Sequence, residues 1–372
     1  MLKNRRRKEK DMDFETFKDT LSRDVKEILD KRFGAETEVM FHRSEKANAS
    51  YDAITVKPCD SEVGVSLNAD ALYEEMTNGR PYEEIANGTA DLAYRSLRDR
   101  PDFDIKAFED YDKMKDKLSM EVISIARNEE LLKTIPHKDI EDLAVVYRFL
   151  VGDNLEQPIG SVLVTNKMLE KYGITPEQLH EDAVKFAPEI RPLVIEGMME
   201  VLRKQMGVDK FADIGFNIPP EQECMFVASV EGSFHGAGVL AYQDFMDKAS
   251  ERVKAAGEPS GDFFILPSSI HEIIIIPDNG LFDLSRLESF VREVNATSVD
   301  ISEQLSDNVY HYDSKDKIFE LGDKFFARQN DREKAAEKSV LKQLKDNKAD
   351  IAKQSKTDAP LKGANIKDDK AL

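Results

Sequence analysis

The chain has no tryptophan and only two cysteines among 372 residues, and no long uncharged apolar run. Cys59 and Cys224 lack C-x-x-C spacing, which excludes a disulfide framework and a cysteine-built metal centre and leaves two free thiols. Cys224 opens an apolar run, where a small buried hydrophobe is expected. Cys59 lies between Pro58 and Asp60, is expected at the surface, and has a neighbouring carboxylate that opposes thiolate formation. A membrane helix needs about 18 consecutive apolar residues. The best candidate run, Ile270–Pro277, is interrupted by His271 and Glu272, so no membrane contact is expected. No apolar stretch follows the basic N-terminus, so no secretory signal is read and a cytoplasmic location is expected. A Walker glycine-lysine loop, a G-x-S-x-G elbow and an H-E-x-x-H helix are all missing. In the last case Ile275 stands where the second histidine is required.

Charge is plentiful and unevenly placed. Seventy-two Asp and Glu face 53 Lys and Arg, for a net −19. Residues 1–10 carry +5 through Lys3, Arg5, Arg6, Arg7, Lys8 and Lys10, residues 331–372 carry +3, and the body between them carries −27. Such a body repels nucleic acid and anionic lipid, so any nucleic-acid contact is expected only through the basic ends, residues 1–11 above all. A basic protein partner is drawn in by the same field.

Periodicity predicts an α+β fold in which antiparallel strand pairs alternate with helices, ending in a disordered charged tail. A basic leader (1–11) precedes an N-terminal α+β module (12–100). In that module Phe14, Phe17, Leu21, Val25, Ile28 and Leu29 mark a helix capped by Asp13 and ended by Gly34. Short strands are expected at 38–42, 53–57 and 63–67, then helices at 69–76 and 82–97. A middle module (101–218) is expected to hold a charged helix near 105–117, strands at 143–151 and 161–165 about a Gly152-Asp153-Asn154 turn, and helices from Pro176 to about Met206. Thr175-Pro176-Glu177-Gln178 reads as a capping box for the first of these. A C-terminal module (219–326) is expected to pair 224–230 with a returning strand at 237–241, and 263–266 with 272–276. A helix at 284–294 and closing strands at 309–312 and 318–321 follow. Beyond Phe326 there is no aromatic residue, and 327–372 is expected to be disordered after a marginal helix.

The most enzyme-like string is Pro267-Ser268-Ser269-Ile270-His271-Glu272. On a strand Ser269 and His271 share one face and Glu272 the other, so Glu272 does not orient the imidazole. A hydrolase reading takes Ser269 as nucleophile, His271 as base and Asp307 or Asp313 as the orienting carboxylate. The competing reading makes both serines turn residues whose hydroxyls cap loose backbone amides. The six histidines, His42, His137, His180, His235, His271 and His311, are dispersed, and no metal is expected. Gly236-Ala237-Gly238-Val239-Leu240-Ala241 fits G-x-G-x-x-A in letters, but it reads as a hairpin's returning strand, and no cofactor is expected. Tyr310 and Tyr312 share one strand face, which offers either a partner-binding edge or simple packing.

Asp142–Tyr147, Gly173-Ile174-Thr175, Ile265–Glu272, Val291–Asn295 and Leu305–Tyr310 together resemble a bacterial domain-of-unknown-function family, whose members look like cytoplasmic proteins of anaerobic Gram-positive bacteria. The resemblance spans about Asp13 to Leu321, its most specific part is the leucine-proline-serine-serine-x-histidine-glutamate string, and it implies no catalytic residues. The function expected from all of this is a non-enzymatic protein-interaction module. A hydrolase using Ser269 and His271, or a nucleic-acid-associated protein acting through its basic ends, are the alternatives.

Overall fold

The computed structural model describes residues 12–61, 63–99, 105–152, 160–207, 223–231, 235–267 and 269–357. The basic leader, the Asp153-Asn154 part of the turn, the Asn217–Pro220 linker, Ser268 and the end of the tail lie outside the described residues.

The first helix, α1 (Phe14–Phe33), begins where Asp13 accepts the Thr16 amide and stops at Gly34, whose φ of 65° suits a residue without a Cβ. Its four-residue stripe Phe17, Leu21, Val25 and Leu29 is fully buried. β1 (Thr37–Lys46), β2 (Ala49–Pro58) and β3 (Val65–Asn68) form an antiparallel sheet in that order. The β1–β2 ladder runs without a break from Thr37↔Pro58 to Lys46↔Ala49. The tip is Ala47-Asn48, and Asn48 takes the left-handed conformation (φ 58°) that asparagine tolerates better than most residues. Helices α2 (Ala69–Thr77) and α3 (Tyr82–Arg98) follow, and Ile85, Ala86, Ala90, Ala93 and Leu97 join the α1 stripe and Ile54 and Val56 of β2 in one apolar core.

Where a charged helix is expected, residues 105–117 instead form three short 3-10 turns. Asp110 breaks the run by turning its carboxylate onto the Asp112 amide. The chain then enters β4 (Leu118–Ser124), buried along its whole length. A short helix, α4 (Glu129–Leu132), leads to β5 (His137–Ile140), β6 (Leu143–Val151) and β7 (Gly160–Leu163). β6 is the hub of this second sheet, paired antiparallel with β4, β5 and β7.

Helix α5 (Asn166–Tyr172) precedes α6 (Pro176–Ile190). Thr175 caps α6 by accepting the Gln178 amide at 3.2 Å, but the Gln178 side chain turns to Asp182 rather than closing a reciprocal box. The helical stretch expected to reach Met206 is split: β8 (Leu193–Gly197) intervenes before α7 (Met198–Met206). Pro192 and the β-branched Val194-Ile195 pair explain the break.

β9 (Phe226–Val230) begins after Cys224, which is exposed and not the buried hydrophobe expected; Cys59 is also exposed. After β9 the expected returning strand is absent, and Gly236–Ala241 is a 3-10 helix wedged between the sheets. A Cβ at Gly236 would lie 2.0 Å from Ser229 Oγ and 2.2 Å from the His271 carbonyl, and one at Gly238 would lie 2.2 Å from the Met120 carbonyl. These glycines serve close backbone approach. Helix α8 (Phe245–Ala255), β10 (Phe263–Leu266), β11 (Ile273–Pro277), α9 (Leu284–Thr297), β12 (Tyr310–Asp313) and β13 (Ile318–Leu321) complete a six-stranded sheet in the order β13-β12-β10-β11-β9-β8. The expected 263–266 and 272–276 pair is β10–β11, in register Phe263↔Pro277.

Residues from Glu320 onward form a separate compact unit. Its helix α10 (Gly322–Thr357) exposes Val340, Leu341 and Leu344. Among the described residues no helix is long and apolar enough to cross a membrane.

Candidate functional site

The Pro267–Glu272 string lies in the connection between β10 and β11, and its backbone is tied to a second turn. The Ile270 amide donates to the Glu303 carbonyl at 2.8 Å, and Ser269 makes an isolated bridge to Gln304. Ser269 Oγ accepts the His271 backbone amide at 3.0 Å. That is the turn-capping role, and it places the hydroxyl on the backbone instead of the imidazole. Asp307 accepts from the Asn295 side chain and Asp313 from the Asp316 amide, so neither orients His271.

The carboxylate beside His271 is Glu303, with Oε1 3.3 Å from Nε2. Nothing local in the sequence announces it, because Glu303 lies on a distant 3-10 turn, Ile301–Glu303. On the other side of the ring, His271 Nδ1 accepts the backbone amide of His235 at 3.4 Å. The two imidazoles meet edge to face with centroids 5.7 Å apart. His235 is a non-glycine residue at φ 54° and ψ 39°, a conformation that costs roughly 1 kcal/mol or more.

Behind His235 is a buried ion pair. Glu121 of β4 accepts Arg148 Nε of β6 at 2.6 Å, and its other oxygen lies 3.4 Å from His235 Nδ1. Burial holds His235 below the ordinary imidazole range; Glu121 pulls the other way, while Arg148, His271 and Arg191 reinforce burial. Five chain segments therefore meet in one polar seam: β4, β6, the entry to Gly236–Ala241, the β10–β11 turn and the Ile301–Glu303 turn. The arrangement orients protons and pins loops, and the Ser269 hydroxyl lies on a backbone amide, where nucleophilic catalysis requires it on an imidazole.

Tyr310 and Tyr312, read as either a partner-binding edge or packing residues, are core residues. Tyr310 is fully buried, stacked on Phe319, and donates its hydroxyl to Asp142. Tyr312 is 3 % exposed, with its hydroxyl 3.5 Å from Asp247. Burial raises the pKa of both phenols. The other histidines are scattered: His180 contacts Tyr147 and Lys138, and His311 contacts Asp278. Among the described residues no group of three His, Cys, Asp or Glu side chains is arranged to hold a metal.

Two surface features were not legible in sequence. The tip of the β1–β2 hairpin docks beside the seam: the Asn48 amide donates to Asn128 Oδ1 at 2.6 Å, Asn128 Nδ2 returns to Asn48 Oδ1 at 2.8 Å, and Asn48 Nδ2 reaches the Gln304 carbonyl at 2.7 Å. A polar cavity of about 310 Å³ opens there, lined by Lys46, Ser50, Arg127 and Glu129 among others. The second feature surrounds α9. Leu281 is 77 % exposed, Phe282 39 %, Phe290 45 % and Ile301 69 %, while Leu287, Val291 and Asn295 bury the opposite face.

No curated protein and no solved structure matches this chain. A family model does match, over residues 14–314 and thus across every element of the polar seam, and the chain belongs to that family, a family of unknown function (DUF5688).

Proposed function

We propose that this chain is a cytoplasmic, non-enzymatic protein-interaction module that docks a basic partner carrying apolar side chains. The observation that carries this reading is the exposure of Leu281, Phe282, Phe290 and Ile301 about one helix. Residues 278–307, which contain them, have seven carboxylates against two arginines. Large apolar side chains anchor interfaces when a partner dehydrates them, and a rim of one charge sign selects the partner and speeds encounter. α9 is held from its other face by Leu287 and Val291, so docking needs no refolding of the helix. The hydrolase alternative has less support, because the Ser269 hydroxyl is occupied by the His271 amide. The nucleic-acid alternative rests on basic ends of which only residues up to Thr357 are described.

Native capture from the source cell compares the full chain with a Leu281→Ser/Phe290→Ser variant. The expected result is a basic protein retained in stoichiometric amount by the full chain, weakened by salt and lost from the variant. Equal retention by both proteins, or a salt-insensitive acidic partner, overturns the reading.

A further inference from the structure

We propose that the contact between His235 and His271 is a proton-operated clasp, closed when His271 is neutral and released when its ring takes a second proton. The inference is independent of any partner, because it rests on the hydrogen-bond geometry of the seam. His271 Nδ1 accepts the His235 backbone amide at 3.4 Å and therefore carries no proton. The single proton of the neutral ring is then on Nε2, which faces Glu303 Oε1 at 3.3 Å. Both contacts require the same tautomer.

A proton arriving from solvent can bind only at Nδ1. There it converts the acceptor into a donor, and two N–H groups oppose each other. The Nε2 contact gains strength, since it becomes a pair of full charges, so His271 stays with Glu303 and the His235 side yields. Around the two rings stand Glu121 from β4, Arg148 from β6, Arg191 after α6 and Glu303 from the Ile301–Glu303 turn. On the His235 side Arg148 and Arg191 disfavour a proton on His235 and Glu121 favours one, while Glu303 faces His271 from the other side. The His235 backbone is left-handed, a strained conformation that its contacts must hold. The Ala237 amide donates to the Ile270 carbonyl at 3.1 Å, so release of His235 loosens the 235–237 strand of chain from the 269–271 turn.

The test uses the full chain, His271→Asn and His271→Ala, with amide hydrogen exchange at His235 and Ala237 read at pH 7.5 and pH 5.0 and corrected for intrinsic rate. Asparagine places an acceptor near the Nδ1 position but does not titrate. Expected are a tenfold or greater loss of protection on acidification in the unaltered chain, no pH dependence in His271→Asn, and low protection at both pH values in His271→Ala. Nitrogen NMR of the unaltered protein at pH 7.5 should show the Nε2–H tautomer. Protection that does not change with pH overturns the proposal, as does an Nδ1–H tautomer. An equal acid loss in His271→Asn overturns it too, by moving the response to His235 and Glu121. If His271→Ala does not fold, the tautomer and His271→Asn still decide the matter.

Discussion

In residues 14–98 helices and strands meet through a continuous apolar core, and the only buried polar residues described there are Thr37 and Thr89. The two-sheet region after it buries Glu121, Asn128, Arg191, Ser229, Asn295, Gln304, His311 and Asp313 among others. The first region is held by local amphipathic pattern, the second by polar contacts between residues far apart in sequence. The difference shows what each is built to resist. Burial of apolar area is forgiving of small shifts, whereas a buried hydrogen-bonded group carries a desolvation cost unless its partner stays in place. The second region therefore specifies its loops more tightly and is more easily disrupted by one changed side chain.

The sharpest way to break the contrast is Glu121→Ala, which leaves Arg148 largely buried without its carboxylate. Urea unfolding should show a loss of about 3–5 kcal/mol, whereas Glu121→Leu combined with Arg148→Met should recover most of it. A double variant as unstable as the single one would mean that the pair is not the source of the effect. Leu21→Ala, in the middle of the α1 stripe, should cost about 2–5 kcal/mol through lost burial and a cavity, with no rescue available from a polar partner. Asn48→Gly keeps the left-handed backbone but deletes the amide that meets Asn128 and Gln304. Its expected cost is about 1–3 kcal/mol, and faster exchange should be confined to the hairpin tip and its docking site.

The smallest effect separates the regions by pH. Burial depresses His235, so the unfolded chain binds the proton more readily. Stability from this group is complete above the ordinary value of 6.5 and declines as pH falls below it. In the N-terminal layer Asp30 is held below its ordinary value of 3.8, chiefly by hydrogen bonds from Thr37. Its contribution persists until pH falls beneath that value and is lost as pH passes through the folded pKa. Unfolding curves between pH 7 and pH 5 should therefore change in the unaltered chain and change less in His235→Asn, while Asp30→Asn leaves that window unaffected.

Much of the N-terminal region was legible in the sequence because each element carried its own signal. The Phe17–Leu29 stripe, the Asp13 and Gly34 boundaries and the three strand runs all reappear in the fold. β4 was not legible, since Ser119 and Glu121 interrupt its apolar letters and the glutamate is explained by Arg148 and His235, which reach it only in the folded chain. The same applies to the seam. His271 could be singled out, but its partners Glu303 and the His235 amide are set by tertiary approach. Gly236 and Gly238 read as part of a returning strand, whereas their close approach to Ser229, His271 and Met120 is set by tertiary packing. Tyr310 and Tyr312 were correctly placed on one strand, yet whether that face met solvent or core depended on Phe319 and Asp142.

The Asn48 tip also bears on the order of events during synthesis. Its side chain docks on the carbonyl of Gln304, 256 residues later in the chain. At about 5–20 residues per second, roughly ten to fifty seconds separate the two on the ribosome. The residues of the N-terminal apolar core are all synthesised by then, whereas the partner of the hairpin tip is not. A chain truncated before Gln304 is therefore expected to leave that tip unclaimed, and hydrogen exchange in α1 of such a chain would show whether the N-terminal layer forms without its late clamp.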